Sequence, residues 1–302
     1  MSHLNFLEAI VVGAFQGVTE LFPVSSLGHS VLIPALVGGS WAQDLNVSAP
    51  ESPYLAFIVG LHVATAAALL LFFWRDWVRI IGGLVTSVRY RRVSTPAERL
   101  AWLIIFATIP VGIVGLVLEH TFRTTLGRPI PAASFLIANG VVLYVGELLR
   151  RRVNQPQPVL VPTADVPAGI AADERIARLS FGRGTLIGTA QVLALLPWIS
   201  RSGVTMVAGL LRGLSHEDAA RFSFLLATPV ILAAGVLKVP DLFGPLGAGI
   251  HGQVLAGSVA SFVSAYLAVR FLTRYFHTRT LTPFAIYCAL AGTGSLLWLT
   301  LH

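Results

Sequence analysis

Two short segments of this chain carry side chains that could perform hydrolytic chemistry, although long apolar stretches surround both of them. The first segment places Gln16 and Glu20 four residues apart, so that a helix would present them on one face. Ser25, Ser26 and His29 follow shortly after a proline. This segment therefore offers a carboxylate, two hydroxyls and an imidazole within a few turns of chain.

The second segment contains the run Pro197-Trp-Ile-Ser-Arg-Ser-Gly203, and Arg221 begins a later apolar stretch. Its candidate side chains are Ser200, Arg201, Ser202 and Thr205. Guanidinium groups bind phosphate oxygens through two parallel hydrogen bonds, and a hydroxyl becomes a nucleophile when a base takes its proton. A carboxylate such as Glu20 could also hold Mg²⁺ or Ca²⁺. The set predicts cleavage of a phosphoric anhydride, in which positioning and charge neutralisation dominate.

Each candidate residue also has a purely structural interpretation. Glu20 and Arg201 could form a buried ion pair, and His29 could bind the backbone. Ser25 and Ser26 could cap a helix that follows them. His62, inside an apolar stretch, is interpreted as a packed or pore-facing residue rather than a ligand.

The composition indicates that lipid surrounds most of the chain. Of its 302 residues 55% are hydrophobic and 12% are charged, and the mean hydropathy is +0.77. A soluble protein of this size could not cover its surface with so few charges. A cytosolic enzyme, a nucleic-acid-binding protein and a disordered protein are therefore excluded. The single cysteine, Cys288, excludes an intramolecular disulfide.

The apolar stretches predict an all-α polytopic membrane protein with six full transmembrane helices. A helix needs about 20 residues to cross the hydrocarbon core. The predicted spans are about Tyr54–Trp74, Leu100–Leu118, Ala132–Leu149, Ala219–Leu237, Gly252–Phe271 and Pro283–Leu299. Two further apolar regions, from Leu4 to Leu36 and from Gly184 to Leu211, are interrupted by the candidate segments. Each is predicted to form a re-entrant helical hairpin, whose irregular backbone must lie within protein or beside water.

Arginines predict the orientation of these spans. Fifteen of the 21 basic residues lie in the segments after the first, third and fifth predicted spans. Short loops rich in Lys and Arg face the cytoplasm. Both termini then lie outside, the first hairpin enters from outside and the second enters from the cytoplasm. The N-terminal stretch lacks a basic start and is expected to remain in the mature protein.

The chain is expected to form a single integral membrane domain over residues 1–302 that contains an inverted repeat. The first repeat covers about residues 1–150, a cytoplasmic linker about 151–183, and the second repeat about 184–302. Gly13-Ala-Phe-Gln16 parallels Gly188-Thr-Ala-Gln191, and the two interrupted regions correspond after a shift of one residue. Broken helices at matching positions predict a binding site at the repeat interface near the membrane midplane.

Both polar motifs resemble signatures of a known family. Gln16-Gly-Val-Thr-Glu-Leu-Phe-Pro-Val-Ser-Ser-Leu-Gly-His29 resembles the first signature of the bacterial undecaprenyl-diphosphatase family, also called the bacitracin-resistance family. The run from Pro197 to Thr205 resembles the second signature, and residues 220–229 also look like family sequence. The similarity covers nearly the whole chain.

This resemblance implies an enzyme of the bacterial inner membrane that hydrolyses undecaprenyl diphosphate to undecaprenyl phosphate and inorganic phosphate. The activity recycles the lipid carrier for peptidoglycan and other envelope polymers, and overproduction confers bacitracin resistance. The resemblance further implies a divalent cation, Mg²⁺ or Ca²⁺, and a site that opens toward the outer face. The expected catalytic residues are Glu20, which would also bind the metal, Ser26, His29 and Arg201, and the expected substrate-binding residues are Gln16, Ser25, Ser200, Ser202, Thr205 and Arg221.

Three residues depart from the family pattern, and three questions stay open. Gln16 stands where many members have Glu, Leu27 replaces a small hydroxyl residue, and Trp198 replaces Gly.

The nucleophile is the first open question, because either serine, or water directly, could attack phosphorus. A transporter or flippase for a lipid phosphate or another anion is the alternative function, because broken helices in inverted repeats are typical of transporters. Besides the polyprenyl diphosphate, membrane lipids and a second copy of the chain are the candidate partners.

Overall fold

The computed structural model describes residues 4–45, 53–126, 128–153, 168–196, 198–244 and 249–301, and every regular element within these ranges is helical. In chain order the helices are α1 (Phe6–Leu21), α2 (Ser26–Val37), α3 (Gly39–Asp44), α4 (Pro53–Phe72), α5 (Trp74–Tyr90), α6 (Pro96–Leu126), α7 (Pro129–Val153), α8 (Ala168–Ala177), α9 (Phe181–Thr189), the 3₁₀ helix η1 (Ala190–Leu195), α10 (Arg201–Leu211), α11 (His216–Phe243), α12 (His251–Tyr275) and α13 (Thr282–Leu301). The predicted all-α class is confirmed.

Five of these helices are long and apolar enough to cross a membrane by themselves. Their apolar portions are Pro96–Val117, Pro129–Arg152, His216–Leu237, His251–Tyr275 and Thr282–Leu301. Helices α4 and α5 pass the same test only together, and they are bent by 83° where they join. The described part of the chain therefore contains five or six candidate spans, which confirms a multi-span membrane protein.

The arginine-rich stretch after α4 differs from the prediction. The sequence interpretation assigned residues 75–99 to a loop, whereas residues 74–90 form helix α5. The charged residues end the hydrophobic span at α4. Because arginine is a good helix former, the chain after α4 is again helical, and this second helix, α5, runs in another direction. Within the linker predicted at about 151–183, residues 168–177 form α8, and residues 154–167 lie outside the described ranges.

Ion pairs gather the arginine-rich segments at one end of the helix bundle. Asp173 of α8 forms ion pairs with Arg79 of α5 and with Arg221 of α11, the second at 2.7 Å. The imidazole of His277, which follows α12, lies 3.1 Å from the carboxylate of Glu217 at the start of α11. The segments after α4, α7 and α12 therefore meet. These ion-pair contacts agree with the prediction that all three segments lie on one side of the membrane.

The two interrupted regions form short helices joined by non-helical elbows. Residues 22–25, the first elbow, join α1 to α2, and residues 198–200, the second elbow, lead into α10. Helices α1 and α2, at 16 and 12 residues, are each too short to cross a bilayer. Ser25 caps α2 by accepting a hydrogen bond from the Gly28 amide, and Ser200 caps α10 by accepting one from the Gly203 amide. These caps satisfy amides that would otherwise lack partners at the helix starts.

Candidate active site

The two elbows contact each other through a buried amide from a third element. Asn139 of α7 donates to the carbonyl oxygen of Pro23 at 2.9 Å and accepts from the amide of Ser200 at 3.1 Å. The Ser202 hydroxyl donates to the carbonyl oxygen of Phe22 at 3.1 Å. Phe22 and Ser202, 180 residues apart in sequence, are therefore joined by a direct hydrogen bond, and Asn139 bridges the two elbows beside it. No spacing in the sequence connects Asn139 with either motif.

Glu20, at the end of α1, lies at the centre of the polar cluster. One carboxylate oxygen accepts a hydrogen bond from the Arg201 guanidinium at 2.7 Å. The other accepts from the Ser26 hydroxyl at 2.5 Å and from the Gln16 amide at 3.1 Å. The Glu20 side chain is 8% exposed, so its charge is compensated by Arg201 rather than by water. The fold thus brings together four residues that the sequence interpretation had selected.

Two helices begin at this carboxylate. Ser26 is the first residue of α2, and Arg201 is the first residue of α10. A helix N-terminus carries a partial positive charge and exposed amide donors, so it attracts anions. The arrangement therefore offers a guanidinium and two helix N-termini to an anionic group.

A cavity of about 180 Å³ opens beside the cluster. Polar groups from both elbows line one part of it, and apolar residues, among them residues of α6, η1 and α11, line much of the rest. Its walls include Glu20, Ser25, Ser26, Leu27, His62, Val111, Gln191, Trp198, Ser200, Arg201, Val230 and Ile231. The cavity thus combines a charged end with a lipid-like wall, which suits an amphiphilic ligand.

His62 of α4 belongs to this site, although the sequence suggested only a packed or pore-facing histidine. Its Nε2 lies 3.2 Å from the Gln16 amide nitrogen and 3.5 Å from Glu20. Its Nδ1 lies 2.9 Å from the carbonyl oxygen of Ile58. An ionisable residue inside a span was a signal of function, but no spacing related His62 to Glu20.

Both ring nitrogens of His29 bind groups other than the Glu20 carboxylate. Its Nδ1–H donates to the carbonyl oxygen of Ser25 at 2.7 Å, so its Nε2 accepts from the Tyr287 hydroxyl at 2.8 Å. The two rings are stacked, with centroids 5.7 Å apart. His29 lines a small neighbouring cavity together with Gln16. Tyr287 comes from α13, and no pattern in the sequence connected it with His29.

Three of the predicted substrate-binding hydroxyls bind the protein itself. Ser202 binds Phe22 as described above, and Thr205 donates to the carbonyl oxygen of Arg201 at 2.7 Å. Ser200 accepts from the Gly203 amide, and its hydroxyl lies 3.0 Å from that of Ser202. Of these three residues only Ser200 lines the cavity.

The structure does not bring Arg221 into the site. Its guanidinium pairs with Asp173 at 2.7 Å and with Asp76 at 2.9 Å, and it lies over the ring of Phe73. The residues of α11 that line the cavity begin at Val230, nine residues later, which is about 14 Å along a helix. Arg221 therefore joins α5, α8 and α11 in this structure, and its predicted part in substrate binding gains no support from the geometry.

The oxygen atoms around Glu20 suit a hard cation only in part. Within the described residues no group of three or more His, Cys, Asp or Glu side chains could hold a metal. However, the amide oxygens of Gln16 and Gln191 are buried there without a hydrogen-bond partner, and Gln191 lines the cavity. Mg²⁺ and Ca²⁺ accept amide and carboxylate oxygens, and Mg²⁺ is commonly completed by substrate phosphates and water. The residues therefore fit a cation that binds together with a phosphate ligand.

A disulfide tests the contact between the elbows without any assay of function. A Cβ atom placed on Gly28 would lie 3.9 Å from the Cβ of Trp198, and disulfides join Cβ atoms about 3.5–4.5 Å apart. In a Cys288→Ser background we expect Gly28→Cys and Trp198→Cys to cross-link on mild oxidation. Cleavage at a protease site inserted within residues 154–167 would leave the two halves linked. Separation of the halves to the same extent as in a Gly28→Cys, Thr300→Cys control would contradict the contact.

Comparison with known proteins agrees with the two motifs. The family described as bacitracin resistance protein BacA matches residues 9–294. The chain is 72% identical to the undecaprenyl-diphosphatase of Mycolicibacterium paratuberculosis over 310 residues, which cover 100% of this chain and 99% of that protein. It is 71% identical to the undecaprenyl-diphosphatase of Mycobacterium avium, with the same coverage of both proteins. It is 42% identical to the undecaprenyl-diphosphatase of Granulibacter bethesdensis, over 98% of this chain and 97% of that protein. The chain belongs to the bacitracin-resistance protein BacA family.

Proposed function

We propose that this protein hydrolyses undecaprenyl diphosphate to undecaprenyl phosphate and inorganic phosphate at the Glu20 cluster. The observation that carries the proposal is the convergence of Ser26 and Arg201, from opposite halves of the chain, on one buried carboxylate. Membership of a family whose similar members are named undecaprenyl-diphosphatase supports the choice of substrate. This activity would recycle the carrier lipid for envelope polymers and counteract bacitracin.

Substrate binding in this proposal uses the positive charge at the ends of α2 and α10. Arg201 and the first-turn amides that Ser25 and Ser200 do not cap bind the diphosphate oxygens, as at other helix N-termini that hold phosphate. The isoprenoid chain leaves the cavity along its apolar wall, which includes Val111, Val230 and Ile231.

Ser26 is the proposed nucleophile. Its hydroxyl already donates to Glu20, which is the geometry of a hydroxyl beside its general base. Glu20 takes the proton while the Ser26 oxygen attacks the terminal phosphorus, and undecaprenyl phosphate leaves. Water then hydrolyses the phosphoserine and releases phosphate. Attack by water, oriented by Glu20, is the competing route, and trapping of a phosphorylated protein after a rapid quench separates the two.

His29 acts in this scheme as a positioning residue. Its imidazole binds the carbonyl of Ser25, the residue just before the nucleophile. Ser25 has a φ of +70°, which non-glycine residues seldom adopt. The hydrogen bonds from His29 to Ser25 and from Tyr287 to His29 support this backbone conformation.

A divalent cation, Mg²⁺ or Ca²⁺, would be held by the Glu20 carboxylate and the unpaired amide oxygen of Gln191, which lines the same cavity, together with substrate oxygens. When bound, it would neutralise part of the diphosphate charge. Chelation by EDTA is then expected to reduce turnover.

We further propose that the fold is the inverted repeat of six spans and two re-entrant hairpins expected from the sequence. Two corresponding glycines support it. Gly13 lies against the carbonyl of Gly257 on α12, and Gly188 lies against the carbonyl of Ala107 on α6, so that neither position has room for a Cβ atom. An inverted repeat would pair α1 with α9 and α12 with α6, and these two glycine contacts would then correspond. The serine caps at Ser25 and Ser200 correspond in the same way.

The proposed location is the bacterial inner membrane, with the site open to the outer side. The arginine-rich end of the bundle would face the cytoplasm. The cavity-lining part of α11 begins nine residues, about two and a half helical turns, beyond Arg221 at that end, which supports access from the opposite side. A homodimer stays a prediction from the sequence.

Phosphate release from undecaprenyl diphosphate by the purified protein tests the proposed function. We expect release that EDTA suppresses and added Mg²⁺ or Ca²⁺ restores. A parallel assay follows movement of labelled undecaprenyl phosphate across liposome membranes. Lipid movement without phosphate release would support the transporter alternative and contradict the proposal.

A further inference from the structure

Helix α5 leaves the end of α4 at an angle of 83°. Spanning helices are tilted from the bilayer normal by about 20° on average. A helix nearly perpendicular to α4 therefore lies close to the plane of the membrane. It begins where the apolar run of α4 ends, at the depth at which a span reaches the interface.

One face of α5 presents an uninterrupted apolar stripe away from the protein. Trp74, Val78, Ile81, Val85 and Val88 follow one another at steps of four and three residues, which place them on one helix face. Each of these side chains is between 53% and 64% exposed.

The opposite face of α5 packs against α6. Gly83 lies against the backbone of Ala97 and Glu98, and the Trp102 indole donates to the Ser87 hydroxyl at 2.9 Å. The helix is thus anchored to the protein on one side. On the other side, no described residue of the chain covers its apolar stripe, which stays more than half exposed.

Exposed arginines flank the apolar stripe. Arg75 lies near the start of α5, and Arg89, Arg91 and Arg92 lie at its end. In the described part of the chain none of these four forms an ion pair with a carboxylate within 4.0 Å, unlike Arg79. Their guanidinium groups are therefore available to external anions.

Aromatic residues mark both ends of the helix. The Arg75 guanidinium lies over the ring of Trp74 at 5.3 Å, and those of Arg89 and Arg92 lie near the ring of Tyr90. Trp and Tyr are enriched at the level of lipid headgroups. An exposed apolar stripe, flanking arginines and terminal aromatic residues are the features of a helix that lies within a membrane interface.

We propose that α5 is an interfacial helix that binds anionic phospholipids of the leaflet next to the arginine-rich end. The apolar stripe enters the boundary between headgroups and acyl chains. Arg75, Arg89, Arg91 and Arg92 bind the phosphate groups. Basic residues beside a span are attracted to anionic headgroups, and each contributes to the affinity.

The first test measures lipid selectivity by the full chain. The purified protein is reconstituted in phosphatidylcholine with traces of spin-labelled phosphatidylglycerol or spin-labelled phosphatidylcholine. We expect the protein to prefer phosphatidylglycerol, and the combined Arg89→Gln, Arg91→Gln and Arg92→Gln variant to lose that preference severalfold. The matched control is Arg270→Gln, Arg274→Gln and Arg279→Gln, which removes the same charge from exposed positions in the last turns of α12 and just after it. An equal loss in both variants, or none in the first, would overturn the proposal.

The second test locates the stripe in the bilayer. Cys288 is buried and is the chain's only cysteine, so Cys288→Ser gives a background for single spin labels. A label at Val85→Cys is expected to collide with oxygen dissolved in lipid, and a label at Arg92→Cys with a water-soluble nickel complex. Equal exposure of both labels to the nickel complex would show that α5 lies in water. Neither readout depends on the proposed enzymatic activity.

Discussion

Replacing Glu20 with Gln should lower phosphate release by on the order of a thousandfold. The substitution keeps the size of the side chain but removes the base that contacts Ser26, and general-base catalysis contributes about 10²–10⁴-fold. It also leaves the Arg201 guanidinium buried without its counter-charge, which costs about 3–5 kcal/mol. We therefore expect both the turnover number and the free energy of unfolding to fall.

Glu147→Gln separates these two effects. Glu147 is a buried acid of α7 that pairs with His216 at 2.8 Å and with Arg150 at 3.2 Å, and it does not line the cavity. Its replacement should lower thermal stability but leave the turnover of folded protein close to that of the wild type. A Glu20→Gln protein that is as active as Glu147→Gln would contradict the role given to Glu20.

Arg201→Gln should produce a loss as large as that at Glu20. A guanidinium that neutralises transferring phosphoryl oxygens contributes about 10³–10⁵-fold in other phosphoryl-transfer enzymes. Arg201→Lys keeps the charge but not the planar pair of donors, so it should recover only part of the activity. Phosphate release at saturating substrate, measured for both variants, checks this order.

The control for Arg201 is an arginine in a comparable ion pair outside the cavity. Arg175 binds both carboxylate oxygens of Asp218, and these hydrogen bonds raise its pKa above the ordinary value. Arg175→Lys should affect stability more than turnover. Equal losses of turnover at Arg175 and Arg201 would indicate a general disturbance of the fold rather than loss of a phosphate ligand.

Much of the polar cluster around Glu20 could be predicted, because charged residues are unusual within apolar stretches of sequence. Glu20 and Arg201 are charges within apolar stretches, and charges there need a partner, water or a function. The positions of Ser25 and Ser200 follow from local rules, since serine is a preferred cap directly before the first turn of a helix. The helical class and five of the six spans followed from hydropathy alone.

The remaining site residues depend on tertiary packing. His62, Asn139 and Tyr287 come from three different long helices, and each contacts a motif residue that is 46 or more positions away. Periodicity identifies one face of a helix but not the neighbour that this face meets. Arg221 illustrates the converse, because a guanidinium at the start of an apolar stretch suggested a phosphate ligand, while nine further residues of helix separate it from the cavity.

The most direct test of the shared site combines the two substitutions. Glu20 and Arg201 lie 181 residues apart and contact each other at 2.7 Å. If they act as a unit on one diphosphate, their effects on turnover are strongly non-additive. We predict that the Glu20→Gln, Arg201→Gln double variant releases phosphate no more slowly than the poorer single variant. Effects that multiply in the double variant, or turnover near that of the wild type in either single variant, would contradict a joint site at the two elbows.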